Sequence, residues 1–190
     1  FLLRQHQVRR YQERALDTYA GEPFRAIDWQ LQGLSQTGPN SYGTAEEWAH
    51  IHCLRAFVEP GDEVVVADPT FLIYALAATA CDARVVRVPL ADLRYDLRAM
   101  RAAITASTKV VFIANPDNPT GTYVTERELR TFLTGLPEQV LVVLDEAYYE
   151  FADAREYPQT IGWAAEQPLL ITRTFSKAYG LAGLRVGYGV

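Results

Sequence analysis

The sequence predicts an α/β fold: a mostly parallel β-sheet sandwiched by helices. From residue 53 onward, short apolar runs alternate with longer amphipathic ones, which is the pattern of successive β-α-β units. The short runs, such as Val140-Leu141-Val142-Val143-Leu144, are apolar at every position rather than every second one. Strands buried on both faces read that way. Three of these runs end in a polar cluster, at Asn115, at Asp145 and at Ser176-Lys177. Ligands of such sheets bind beyond the carboxyl ends of the strands.

The elements follow in order. Residues 1–20 are expected to form one amphipathic helix with Val8, Tyr11, Ala15 and Tyr19 on a shared stripe, stopped by Gly21 and Pro23. Residues 21–45 show no period and are rich in Gln, Gly, Ser and Thr. Leu54 to Val58 ends a helix, and Glu59-Pro60-Gly61-Asp62 makes a turn. Glu63–Ala67 is a strand stopped by Asp68-Pro69. Thr70 is expected to cap a helix through Ala80, with Leu72, Leu76 and Thr79 in line. Arg84–Val88 is the next strand, and Asp96 opens a helix carrying Leu97, Met100 and Ile104. After the strand Lys109–Ala114 comes a capping box, Thr125-Glu126-Arg127-Glu128, ahead of Leu129, Phe132 and Leu133. Val140–Leu144, Leu169–Thr172 and Arg185–Val190 complete the strands.

The totals narrow the function. A chain of 190 residues, 49% hydrophobic and 22% charged, is ordinary globular material with room for one sizeable core. A net charge of −5 lacks the basic footprint of a nucleic-acid partner. Two cysteines, Cys53 and Cys81, make no disulfide framework and fit a reducing compartment. No apolar run approaches the ~20 residues of a membrane span. Phe1-Leu2-Leu3-Arg4-Gln5-His6 does not read as a signal peptide. A soluble, cytoplasmic chain is expected. His50-x-His52 has no third ligand at suitable spacing, so no metal is expected. Neither G-x-G-x-x-G after the first strand nor G-x-x-x-x-G-K-[ST] occurs, which speaks against a plain nucleotide-binding domain.

Three stretches carry chemistry: Asn115-Pro116-Asp117-Asn118-Pro119-Thr120-Gly121, Asp145-Glu146-Ala147-Tyr148-Tyr149-Glu150-Phe151, and Arg173-Thr174-Phe175-Ser176-Lys177 with Arg185 eight residues on. In this order and spacing they resemble the pyridoxal-phosphate (PLP) site of fold-type I, class I/II aminotransferases, most closely the histidinol-phosphate aminotransferases. The resemblance runs from about Leu54 to Val190. It implies the seven-stranded-type sheet of the family's large domain, with an antiparallel final strand, and pyridoxal 5′-phosphate as cofactor. It implies amino-acid and keto-acid substrates and a homodimer in the full-length form. The implied reaction converts histidinol phosphate and 2-oxoglutarate to imidazole acetol phosphate and glutamate. Transamination of aromatic or other amino acids is the alternative, as is an inactive truncated fragment.

The resemblance also assigns roles. An amine must be unprotonated to attack an aldehyde, and Lys177 is the amine that would hold the cofactor and then move the substrate's proton. Asp145 would meet the protonated ring nitrogen, since a carboxylate at a strand end is costly without a cation. Tyr148 and Asn118 would donate to the ring oxygen, and the Asn118–Pro119 bond is expected to be cis. Arg185, with Ser176 and Thr174, would hold the phosphate, the guanidinium fork matching its oxygens. Phe71 would stack on the ring. Gly43-Thr44-Ala45-Glu46 is the nearest match to a helix start that completes the phosphate cup, through Thr44 and Ala45, although it lies a couple of residues upstream of the family position. Taken singly, Asp145 also reads as a turn opener, Tyr148 and Phe71 as core rings, and Lys177 and Arg185 as solvated cations.

The chain departs from the family before residue 50, where no Asn-Glu-Asn-Pro or Tyr-Pro-Asp segment appears. No arginine can be assigned to a substrate carboxylate. The expected organisation is therefore an N-terminal segment, 1–50, of undefined and not family-like structure, followed by an incomplete PLP-binding large domain, 51–190, with the C-terminal small domain absent. The chain reads as a piece of a longer aminotransferase whose first fifty residues are altered, as by a shifted reading frame.

Overall fold

Six apolar segments pair into one sheet in the computed structural model, which describes residues 45–184 and 186–190. In chain order they are β1 (Glu63–Asp68), β2 (Arg84–Pro89), β3 (Thr108–Ala114), β4 (Leu141–Asp145), β5 (Leu169–Thr174) and β6 (Gly187–Gly189). The helices are α1 (Ala45–Phe57), α2 (Ile73–Ala80), α3 (Leu97–Ala102) and α4 (Glu126–Leu133). The strand order is β2-β1-β3-β4-β5-β6. The first five strands are parallel, and β6 runs antiparallel to β5. The mostly parallel sheet and its antiparallel last strand are as expected, with six strands among the described residues.

The hand of the crossovers distributes the helices. The step from β1 to β2 and the step from β2 to β3 run in opposite directions across the sheet. Right-handed connections therefore place α2 and α3 on opposite faces. Accordingly α2 packs on β1 and β2 beside α1, which covers β3, β5 and β6, while α3 packs on β1 beside α4. Between the layers the strands are sealed: Val64, Val65, Val110, Val111, Phe112, Ile113, Val142, Val143 and Leu144 are fully buried. Burial of each such side chain stabilises the fold by about 1.5–3 kcal/mol.

Local signals explain most of the boundaries. Thr125 Oγ1 accepts from the Glu128 N–H, and the Glu128 carboxylate accepts from the Thr125 N–H, so α4 starts with the predicted capping box. Asp96 accepts from the Ala99 N–H and opens α3. The turn at Glu59–Asp62 needs Gly61, whose φ of +88° suits a residue without a Cβ. Thr70 departs from expectation. Helix α2 begins at Ile73 without a side-chain cap, and the Thr70 hydroxyl donates to Asp117 Oδ1 at 2.9 Å while sharing a 2.5 Å hydrogen bond with the Tyr95 hydroxyl. A carboxylate is the stronger acceptor, so the residue is drawn to the neighbouring loop instead of its own helix. The helix expected at 1–20 lies outside the described residues. No helix among the described residues is long and apolar enough to cross a membrane.

Candidate active site

Main-chain pairing sets Ala114 beside Asp145 and Asp145 beside Thr172. The carboxyl ends of β3 and β4 are thus level, β5 runs on past them to Thr174, and the polar clusters that follow the three strands share one cleft. Phe71, Asn118, Asp145, Tyr148 and Lys177 line it together with Tyr74. Ala114, Pro116 and Ala147 complete its apolar walls. Five of the predicted residues are brought together in this way.

Asp145 closes β4 with only 4% of its surface exposed. Its Oδ1 accepts from the Ala147 N–H at 3.0 Å, and its Oδ2 accepts from the Tyr74 hydroxyl at 2.6 Å. His50 Nε2 lies 3.5 Å from the same Oδ2 and hydrogen-bonds Thr172 Oγ1 at 3.1 Å. The Tyr74 ring stacks on Phe112 with centroids 4.5 Å apart. Burial, then the charge of Asp145, pushes the Tyr74 phenol well above its ordinary value, so it serves as a neutral donor. No lysine or arginine among the described residues lies within ion-pair distance of Asp145. A buried carboxylate without a cation is costly, and a cationic ligand atom in the cleft would offset that cost.

The adjacent acid shows the contrast. Glu146 is fully buried on the other face of the sheet, where Arg173 Nε and Nη2 both reach its Oε2 at 2.8 Å and the Thr160 hydroxyl donates to Oε1 at 2.5 Å. The Arg173 guanidinium lies 3.4 Å over the Tyr149 ring. Burial raises the Glu146 carboxyl above its ordinary value, opposed by the hydrogen bond from Thr160 and the charge of Arg173. One acid of the pair is neutralised within the protein; its neighbour faces the cleft.

Lys177 follows β5 in a turn closed by the Gly180 N–H donating to its carbonyl, with Gly180 at φ +68°. It is half-buried, and its Nζ lies 5.4 Å from the centroid of the Tyr148 ring. At the same strand end the buried Thr174 Oγ1 accepts from the Ser176 N–H. The Ser176 hydroxyl is 9% exposed as a residue and has no hydrogen-bond partner among the described residues. Asn118 is carried by a loop built around Asp117, which accepts from the hydroxyls of Thr70 and Thr120. The Asn118–Pro119 bond is cis. Thr44 and Arg185 lie outside the described residues, and Ala45 is the first residue of α1.

Sequence reasoning overlooked Tyr74, His50 and Thr172, which surround Asp145. Tyr74 stands three residues after Phe71, about one helical turn, and that spacing was the available signal. His50 invites a metal reading through His52, whereas the structure turns it toward Asp145 and Thr172.

The family model described as aminotransferase class I and II matches residues 43–190. The chain is 55% identical over 147 residues to the histidinol-phosphate aminotransferase of Geobacillus thermodenitrificans, covering 77% of this chain and 40% of that protein. It is 53% identical over 159 residues to the histidinol-phosphate aminotransferase of Geobacillus sp. strain WCH70, covering 83% and 43%. The crystal structure of the histidinol-phosphate aminotransferase from Sinorhizobium meliloti in complex with pyridoxal-5′-phosphate superposes with a TM-score of 0.73 at 36% identity, covering 78% of this chain and 41% of that one. The chain spans about two-fifths of the length of the curated relatives it matches.

Proposed function

Because this chain belongs to the class I and II aminotransferase family, we propose that it carries the pyridoxal-5′-phosphate site of a histidinol-phosphate aminotransferase. The whole enzyme would exchange the amino group of histidinol phosphate with 2-oxoglutarate, as a cytoplasmic homodimer. The observation that carries this reading is the meeting of Lys177 with Asp145, Asn118 and Tyr148 in one cleft.

The cleft suits the cofactor. Its walls at Phe71, Ala114, Pro116 and Ala147 are apolar, as a flat ring requires. Asp145 is a buried carboxylate with no Lys or Arg within ion-pair distance among the described residues, which suits a protonated ring nitrogen. Ser176 presents a buried hydroxyl without a partner among the described residues, which a phosphate oxygen would satisfy. Thr174 supports it by fixing the Ser176 amide. Arg185, Thr44 and Ala45 are proposed as the remaining phosphate contacts.

Bound there, pyridoxal phosphate supplies an electron sink for the pair left behind when an amino acid loses its α-proton. Lys177 Nζ would anchor the cofactor's aldehyde carbon and, once displaced by substrate, carry the proton from the substrate's α-carbon to that cofactor carbon. Asp145 would hold the proton on the ring nitrogen, a task suited to a carboxylate fixed at both oxygens. Tyr148 and Asn118 would donate to the ring oxygen, and Phe71 would stack on the ring. Closing the cleft against water would strengthen each of these interactions.

The test is direct. Purified protein incubated with pyridoxal phosphate and reduced with borohydride should yield a phosphopyridoxyl adduct on the peptide containing Lys177 by mass spectrometry. An adduct confined to Lys109, the chain's other lysine, or to the N-terminal amine sinks the reading. Amino-donor profiling with histidinol phosphate, phenylalanine and tyrosine then fixes the substrate.

A further inference from the structure

We propose that the hydroxyl of Tyr74 is the positioning group for Asp145, holding its carboxylate aimed at the cleft. The inference rests on the cofactor reading above and extends it to a residue in the layer behind the site. Asp145 hangs from the last position of β4, and rotation about its terminal torsion would otherwise be free to turn the carboxylate aside. The Ala147 N–H pins one oxygen at 3.0 Å. The other is pinned by Tyr74 at 2.6 Å, the shortest of its contacts, with His50 Nε2 farther away at 3.5 Å.

Tyr74 is built for this task. It is fully buried in α2, its ring is clamped parallel to Phe112 and edge-on to Phe71 and His50. Such a phenol cannot rotate away to solvent, and burial keeps it protonated. A neutral donor stabilises the carboxylate as an anion without neutralising it, so the charge stays available to a cation in the cleft. A lysine or arginine at position 74 would instead form the ion pair that Glu146 forms with Arg173 on the opposite face.

The experiment is a double-mutant cycle read by pyridoxal-phosphate affinity, with thermal melting of the cofactor-free protein beside it. Tyr74→Phe keeps the ring stack and removes only the hydroxyl. We expect it to weaken cofactor binding about tenfold, the effect of one hydrogen bond to a charged group. Asp145→Asn should weaken binding further. Adding Tyr74→Phe to Asp145→Asn should then cost less than about twofold, because the hydroxyl no longer has an anion to hold. Borohydride labelling of Lys177 should persist in Tyr74→Phe. Unchanged affinity in Tyr74→Phe, additive losses in the double variant, or a Tyr74→Phe chain that does not fold would each assign the hydroxyl to stability alone and overturn the proposal. Absence of cofactor binding by the unmutated protein is a different result, which removes the cofactor reading and this inference together.

Discussion

Two residues separate a site from a packed strand end. Lys177 is the only amine lining the cleft among the described residues, and Lys177→Ala should abolish borohydride labelling and, in the whole enzyme proposed above, lower transamination by about 10²–10⁴-fold, the usual contribution of a positioned proton carrier. Lys177→Arg should not restore it, since a guanidinium neither deprotonates nor attacks a carbonyl. Ser176→Ala separates ligand binding from stability. Its hydroxyl has no partner among the described residues, so the variant should melt at or above the temperature of the unmutated protein. Its cofactor affinity should fall about fivefold, the loss of one ordinary hydrogen bond, measured by equilibrium dialysis. The grouping of Asp145 with Lys177 was legible in the sequence because each follows an apolar strand and is chemically out of place there. Tyr74 and His50 were not, because their meaning lies in a contact 71 residues away for the first and 122 residues away to Thr172 for the second. Nothing in a tyrosine within an alanine-rich helix names the carboxylate behind which it will sit.

Helix ends were read well where the signal is local. Thr125 and Glu128 satisfy each other's backbone donors within three residues, and Thr125→Ala should cost about 1 kcal/mol, seen as a lower melting temperature without change in cofactor affinity. Thr70 was misread for the converse reason: its best acceptor, Asp117, comes from another loop. Helix α1 carries a pH signature. Burial, and then the nearby Arg55 cation, lowers the pKa of His52 below the ordinary 6.5. The unfolded chain therefore takes up the proton more readily than the folded one, so this stability is present above about 6.5 and lost as pH falls below it. His52→Gln should flatten the fall in melting temperature between neutral and mildly acidic pH.

At the scale of the molecule, the sheet order follows from chain reversals and handedness that alternating runs already imply. The buried Glu146–Arg173 pair ties β5 to the chain leaving β4. Arg173→Met should destabilise the fold by about 3–5 kcal/mol in denaturant titration, because it strands a buried carboxylate. The pair was invisible beforehand, since its two members are 27 residues apart and neither periodicity nor composition links them. Leu72, just before α2, and Leu76 within it leave 61% and 53% of their surfaces exposed. If they belong to the proposed homodimer, Leu72→Glu with Leu76→Glu should yield a lighter species in sedimentation while the melting temperature of the monomer holds.

The register of β4 against β3 and β5 has a consequence for how this region tolerates change. Successive side chains of a strand point to opposite faces, so an insertion or deletion of one residue within β4 would turn Asp145, which ends the strand, and Glu146, which follows it, each toward the opposite face. The carboxylate already satisfied by a guanidinium would be thrust among aromatic rings, and the one reserved for a visitor would be lost behind the sheet. A change of one residue in the length of this strand would therefore cost the site more than the same change in a loop remote from the cleft.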